Sequence, residues 1–380
     1  MGQTHLIGSI LGTAVGDAIG LPYEGLSPRR AAILLGYPKQ HRLFWGWGMV
    51  SDDTEHTCRV AQALIASGGN NQKFQVQLAW LLRFWLLSLP AGVGLATLKS
   101  IVRLWCGFSA EASGVFSAGN GPAMRSAILG VAIADPNSLR TLVRISTRIT
   151  HIDPKSEYGA LAIALAARVA SQSQNPISPS TFLLQLKSSL GSEANELLEL
   201  IQQVIDSINR GESTPQFAAI MGLTKGVSGY IYHSVPIALH AWFCYPQDFR
   251  SAIIAVVECG GDTDSTAAIV GGIVGASVGK AGIPEEWLNR LLEPWQSVRW
   301  MENLAIQLDR SIQAGQAEQP LKLPFAGVFL RNLFFSPHRV ISRVPSPLAA
   351  LLRIFWGECD RAYCGNSTIS RTFPRTPPTP

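Results

Sequence analysis

The chain has 380 residues, 47% hydrophobic and 15% charged, which gives ample material for a core and too little charge for a disordered protein. Its net charge of +5 lies at one end: from Glu318 onward eight Lys or Arg stand against three Asp or Glu, so a total of 31 minus 26 leaves residues 1–317 balanced at zero. Scattered basic residues without a base-reading motif argue against specific nucleic-acid binding, and the longest uncharged small-apolar run, 266–279, is shorter than the roughly 20 residues a membrane helix needs. Six cysteines without CxxC spacing, behind an N-terminus with no basic region ahead of an apolar core, lead to the expectation of a cytoplasmic protein with reduced thiols.

Read in chain order, the pattern is helical. Residues 5–19, HLIGSILGTAVGDAI, are apolar around most of the circumference, with glycines at 8, 12, 16 and 20 that bare one face for close approach by another helix. Gly20, Leu21 and Pro22 signal its end and put Glu24 in the loop beyond. Further helices are predicted at 54–67, 74–88, 122–134, 158–170, 192–209, 217–227, 236–244, 248–257, 265–279 and 297–313. Period-two alternation is almost absent, so the fold class is all-α, a single-domain helical bundle over 1–314. Gly271, Gly275 and Gly279 repeat the spacing of the first helix, and the two glycine faces are candidates to pack together. Residues 315–380 form a basic, apolar extension with a Pro-rich end, read first as a structural cap in which Phe325, Phe329, Leu333, Leu351 and Phe355 help cover the core, and otherwise as an anionic-surface contact or a disordered segment.

Two acidic clusters each open a helix. SDDTEHT begins at Ser51, a good N-cap, with Asp52 and Asp53 in the first turn, where capping and the helix dipole would account for one carboxylate. ECGGDTDS brings Asp262, Asp264 and Ser265 to a second helix start, which capping at the first does not explain. Four carboxylates and two hydroxyls, with no His or Cys among them, are a hard-oxygen set suited to Mg²⁺ or Mn²⁺; calcium is disfavoured because the EF-hand loop pattern is missing. Four acids suffice for two ions about 3.5 to 4 Å apart.

GTAVGDAIGLPYEG at 12–25, SDDTEHT at 51–57, GNGPAMR at 119–125, THID at 150–153, GYIYHSVPIAL at 229–239 and ECGGDTDS at 258–265 resemble, in order, the motifs of the ADP-ribosylglycohydrolase family. The resemblance implies an all-helical fold, two Mg²⁺ or Mn²⁺ ions, and hydrolysis that releases ADP-ribose from an ADP-ribosylated protein or small molecule. It implies a metal set of Ser51, Asp52, Asp53, Asp262, Asp264 and Ser265, with serines where many members have threonine. Glu24 becomes the catalytic acid or base, and Asp17 an acceptor that orients a metal ligand or a backbone amide. Gly119, Asn120, Gly121, Met124 and Arg125 become a pyrophosphate loop opening a helix, with Arg125 either on phosphate or in a structural ion pair. His151 and Asp153 are placed at the distal ribose or diphosphate, and Tyr230 at the adenine; Tyr232 and Trp47 are alternative stacking rings without a motif. Glu55, where glutamine is common, and Pro122, in a loop usually more flexible, depart from the pattern. A non-catalytic ADP-ribose-binding or structural protein with the same fold is the alternative these residues leave open.

Overall fold

Helices supply the regular structure, and why each starts where it does is mostly visible at its cap. In the computed structural model, which describes residues 2–333 apart from 44, 45, 91 and 174, they are α1 (Gln3–Gly20), α2 (Pro28–Leu34), α3 (Asp52–Ser67), α4 (Asn71–Leu87), α5 (Leu95–Trp105), α6 (Gly121–Met124), α7 (Ala127–Ala132), α8 (Pro136–Arg148) and α9 (Pro154–Gln172). The chain continues through α10 (Pro179–Leu190), α11 (Asn195–Asn209), α12 (Thr214–Ile220), α13 (Ile231–Cys244), α14 (Phe249–Val257), α15 (Thr263–Val278), α16 (Glu285–Leu288) and α17 (Val298–Ala314), and residues 325–333 are again helical. Among the described residues there is no strand, only isolated bridges between loops. The all-α expectation is met.

Five numbered helices, α2, α5, α8, α10 and α16, and the helical segment 325–333 go beyond the sequence reading. Three of them begin with a proline at the first turn, after Ser27, Asp135 and Ser178, whose side chains accept a backbone N–H at each start. Ser, Asp and Pro serve turns and helix starts equally, so the ADPNS and SQSQNPISPS segments that read as turns are in part caps. The predicted helix at 122–134 is two short ones, α6 and α7, broken at Arg125 and Ser126.

The centre of the bundle is the antiparallel pair α1 and α15, and glycine makes it. A Cβ on Gly12 would lie 2.1 Å from the carbonyl oxygen of Gly271, one on Gly16 2.1 Å from that of Ala267, and one on Gly20 2.3 Å from that of Thr263. The two backbones touch, as the matching glycine spacings suggested. Around this seam Ile10, Leu11, Val15, Ile19, Ile269 and Ile273 are fully buried, each contributing about 1.5–3 kcal/mol of hydrophobic stabilisation. Although α1 with its following turn is long and apolar enough to cross a membrane, 89% of that stretch is buried inside the protein, so it is a core helix. Because the pair is antiparallel, the end of α1 that leads into Glu24 lies beside the start of α15 that carries Asp264 and Ser265.

Beyond residue 314 the described part of the extension, to residue 333, continues against the bundle. Past α17 the Glu318 N–H donates to Ile65 O at 3.0 Å and Gln62 Nε2 donates to Leu321 O at 2.6 Å, so the segment lies along α3. Val328 and Asn332 are buried; of the residues expected to cover the core, Phe329 is half-buried and Phe325 and Leu333 are exposed. Leu351 and Phe355, assigned the same covering role, lie outside the described residues.

Candidate functional site

The first half of the site is the start of α3. Ser51 caps the helix, its Oγ accepting from the Asp53 N–H at 3.4 Å and donating to Asp53 Oδ2 at 3.0 Å. Behind this turn stands Asp17 of α1, fully buried; its Oδ2 accepts from Ser51 N at 2.8 Å, Thr54 N at 3.2 Å and Thr54 Oγ1 at 2.5 Å. Asp17 thus binds the orphan amides of the helix start and orients the segment that carries Asp52 and Asp53. Burial raises its carboxyl to about 6 against the opposing hydrogen bonds from Thr54 and Ser51. Asp53 is pushed well above the carboxylate range by burial first, then by the charges of Asp52, Asp17 and Asp262.

The second half is the start of α15, held differently. Asp262 occupies the N-cap position, yet its side chain makes no cap bond; its Oδ2 accepts from Asn120 Nδ2 at 2.7 Å, and the same amide donates to Ser234 Oγ at 2.9 Å. Loop backbones pin the turn before it. Gly261 N–H donates to Leu26 O at 2.8 Å, Gly25 N–H to Gly261 O at 2.7 Å, and Asp262 N–H to Val227 O at 2.7 Å. Gly260 and Gly261 have φ of +67° and +82°, and a Cβ on Gly261 would sit 2.0 Å from Val227 O, so both the conformation and the space demand glycine. Across the gap Ser265 Oγ donates to Asp53 Oδ2 at 3.4 Å, joining the two halves.

A cleft of about 520 Å³ opens over this junction, and Glu24, Asp52, Asp262, Asp264 and Ser265 line it together with Gly119, Asn120, Gly121, Met124 and His151. Among the described residues its lining contains no lysine or arginine. Gly92, Gly94, Leu95 and Thr97 form a wall that the sequence reading missed, for they belong to an ordinary-looking turn and to the first turn of α5, a helix not expected from the sequence. The helix-opening anion nest expected at GNGPAMR is reduced: α6 is a single turn, the Asn120 N–H donates to Gly229 O at 2.9 Å, and Ala123 and Met124 N–H both turn to Asn120 O. His151 fills the space instead. A Cβ on Gly119 would be 2.9 Å from His151 Nε2, so these glycines make room for the ring, while its Nδ1 lies 2.9 Å from Thr150 Oγ1. Burial, with Arg125 nearby, lowers the imidazole to about 3 and keeps it neutral.

Other predicted residues stand apart from the cleft wall. Arg125 is completely buried behind the loop, donating to His56 Nδ1, Ser146 and Thr150 Oγ1, which places it off the cleft surface and, among the described residues, in no ion pair. Asp153 caps α9 by accepting from Lys155 N at 2.9 Å. Tyr230 precedes α13 and its hydroxyl accepts from Lys155 Nζ at 3.1 Å; Tyr232 is core, and neither they nor Trp47 line the cleft.

Whether these residues suit a divalent cation can be judged from the donors. Asp53 Oδ1 is buried with no hydrogen-bond partner, in the field of three other carboxylates. An orphaned anionic oxygen beside two hydroxyls fits a hard cation. No group of three His, Cys, Asp or Glu side chains among the described residues is drawn close enough to form a ready ligand set. The donor chemistry fits without a closed cage.

The structure is an all-α bundle in which two acidic helix starts meet at a cleft beside a loop glutamate, and comparison with known proteins gives its family. The ADP-ribosylglycohydrolase profile matches residues 3–318, and the chain belongs to that family of glycosyl-bond hydrolases. It is similar to a protein of Archaeoglobus fulgidus, 31% identical over 79% of this chain and 94% of the other, and to the ADP-ribosyl dinitrogen reductase glycohydrolase of Rhodospirillum rubrum, 28% identical over 75% and 89%. The ADP-ribosylhydrolase ARH3 of Gallus gallus is 25% identical over 78% of this chain and 91% of its own. A solved ADP-ribosylglycohydrolase-related protein complex superposes with a TM-score of 0.62 at 25% identity, covering 82% of this chain and 98% of that one. Membership supports ADP-ribosyl hydrolysis as the activity.

Proposed function

We propose that the protein hydrolyses the glycosidic bond of ADP-ribosylated protein side chains, or of related ADP-ribosyl compounds, in a Mg²⁺- or Mn²⁺-dependent reaction that releases ADP-ribose. The observation that carries the metal dependence is the buried Oδ1 of Asp53, without a hydrogen-bond partner among the described residues, on the carboxylate whose Oδ2 accepts from Ser265 across the junction of two acidic helix starts. Asp52, Asp53, Asp262 and Asp264, with the Ser51 and Ser265 hydroxyls, would hold two ions, and bound cations would supply Lewis-acid positioning of the ribose hydroxyls. Glu24, in the same wall, takes the proton of the attacking water as positive charge develops on the sugar. Neutral His151 and the Gly119–Gly121 loop face the diphosphate end, where a wall without lysine or arginine offers hydrogen bonds in place of charge. Asn120, tied to Asp262 and Ser234, links the two ends.

The test is release of ADP-ribose from arginine-linked, serine-linked and nucleotide-linked substrates by the purified full chain, in Mg²⁺, in EDTA, and with Asp262→Asn and Glu24→Gln. Loss of turnover in EDTA and in both variants is expected. Undiminished release in EDTA would defeat the metal dependence, and no release from any linkage by the wild-type protein would defeat the hydrolase reading.

A further inference from the structure

Glu55, in the first turn of α3 directly behind the acidic loop, has only 2% of its side chain exposed, and Glu293, in the connection between α16 and α17, only 3%. Carboxylates buried that deeply require a cation. It comes from the helical segment 325–333: Arg331 donates from Nη1 to Glu55 Oε1 and from Nη2 to Glu293 Oε1, each at 2.7 Å, with its own side chain 8% exposed. Its Nη2 also donates to Val50 O at 2.6 Å, while the Val50 N–H donates to Glu293 Oε1 at 2.8 Å. Trp85 Nε1 donates to Glu55 Oε2 at 2.5 Å, and Asn332 Nδ2 to Ser88 O at 2.8 Å, so the segment is moored to α4 as well. Both main-chain polar groups of Val50, the residue immediately before Ser51, therefore end in one ion cluster. The far side of the same turn is gripped by Asp17 through Ser51 N and Thr54 N.

We infer that Arg331 is a positioning residue for the active site: the segment 325–333 clamps the chain at Val50 and fixes the register in which Asp53 faces Ser265. The clamp lies past residue 318, where the family match ends, and it accounts for a glutamate at 55, since the guanidinium supplies the charge that a glutamine would not need. Burial opposes the charge on Arg331, but Glu293 and Glu55 outweigh it and hold the guanidinium protonated at all working pH. Arginine suits the post because its planar fork reaches two carboxylates and a carbonyl at once. The inference rests on the proposed hydrolase only for what the loop holds.

Two readouts separate the clamp from simple charge neutralisation. Amide hydrogen exchange over residues 48–57, followed by mass spectrometry, reports the loop with no metal present, and electron paramagnetic resonance of Mn²⁺ reports affinity. Arg331→Met is expected to exchange there roughly tenfold faster and to bind Mn²⁺ about tenfold more weakly, as loss of a supporting contact does at metal sites. Because that variant leaves two buried carboxylates and can fail to fold, the triple variant Arg331→Met, Glu55→Gln, Glu293→Gln removes the charge conflict; it is expected to regain thermal stability yet keep the faster exchange and weaker Mn²⁺ binding. Arg331→Lys, which keeps the charge and loses the fork, is expected to lie between. Wild-type exchange over 48–57 in the folded triple variant would overturn the clamp and leave Arg331 a counter-ion only. Should the wild-type chain bind no Mn²⁺, the metal reading fails while the exchange measurement still decides the clamp.

Discussion

The two acidic helix starts carry the same chemistry and are built in opposite ways. At α3 the supports are buried side chains: Asp17 below, and Arg331 with Glu293 behind. At α15 they are mainly backbone: Gly260 and Gly261 in left-handed conformations, straps to Leu26 and Val227, and a seam of bare helix against α1, with Asn120 as the side-chain contact to Asp262. At the α3 start Asp53 is buried and pushed well above the carboxylate range by burial and by the charges of Asp52, Asp17 and Asp262, while Asp52 is half-buried. The backbone-held start likewise buries Asp264 and leaves Asp262 half-buried and hydrogen-bonded. Both starts thus contribute to the repulsion at Asp53 that a cation would relieve, and the glycine turn before α15 fixes the frame in which they meet.

Breaking the frame should have the largest effect. Gly16→Val drives a side chain into Ala267 O, and because the obstacle is backbone the loss should reach or exceed about 3 kcal/mol, at the upper end for overpacking. Thermal unfolding followed by circular dichroism checks it, and a variant that melts like the wild type would mean the seam is looser than described. Asp53→Asn sharpens the contrast: it should cost at least about 100-fold in Mn²⁺ affinity while raising the metal-free melting temperature, since it removes a buried like charge. Asp262→Asn should weaken Mn²⁺ as well but raise the metal-free melting temperature less, since Asp262 is the weakest of the three charges acting on Asp53 and is itself only half-buried; equal stability gains in both variants would erase the distinction.

Asn120→Ala comes next, withdrawing the amide that joins Asp262 to Ser234, and should weaken Mn²⁺ binding by about tenfold with little change in folding. The smallest effect concerns acid. The imidazoles of His151 and His240 are lowered by burial from the ordinary 6.5 to about 3 and about 4, so the unfolded chain takes up protons first as pH falls. Their contribution to stability is complete above 6.5 and declines as pH falls from there through the folded values. Urea unfolding at pH 7.5 and 4.5 should show that decline, and His151→Asn should reduce its slope; an unchanged slope would mean that His151 protonates alike in both states.

Much of this was legible because short-range rules wrote it. Glycine at every fourth position marked the α1 and α15 faces, Ser51 and the following aspartates marked a helix start, and the order of motifs marked the family and singled out Glu24, Asp262 and Asp264. The capping explanation proved sound for Ser51 and inapplicable to Asp262, a difference no local pattern encodes. Arg125 and Tyr230 carried motif signals yet stand outside the cleft wall, because a motif fixes neighbours along the chain and not which way a side chain faces. Glu55 was noticed as a departure, but its reason lies in Arg331, 276 residues away, and a charge pair at that separation has no signature in spacing. Sequence by itself determined the all-α class, most of the long helices, the two acidic helix starts and the family, since these follow from periodicity, capping and residue type. Tertiary structure alone decided which carboxylate oxygens are buried without a hydrogen bond, which loops wall the cleft, and that the chain past residue 314 reaches back to Val50 beside the candidate site, because burial and long-range pairing exist only once the helices have packed.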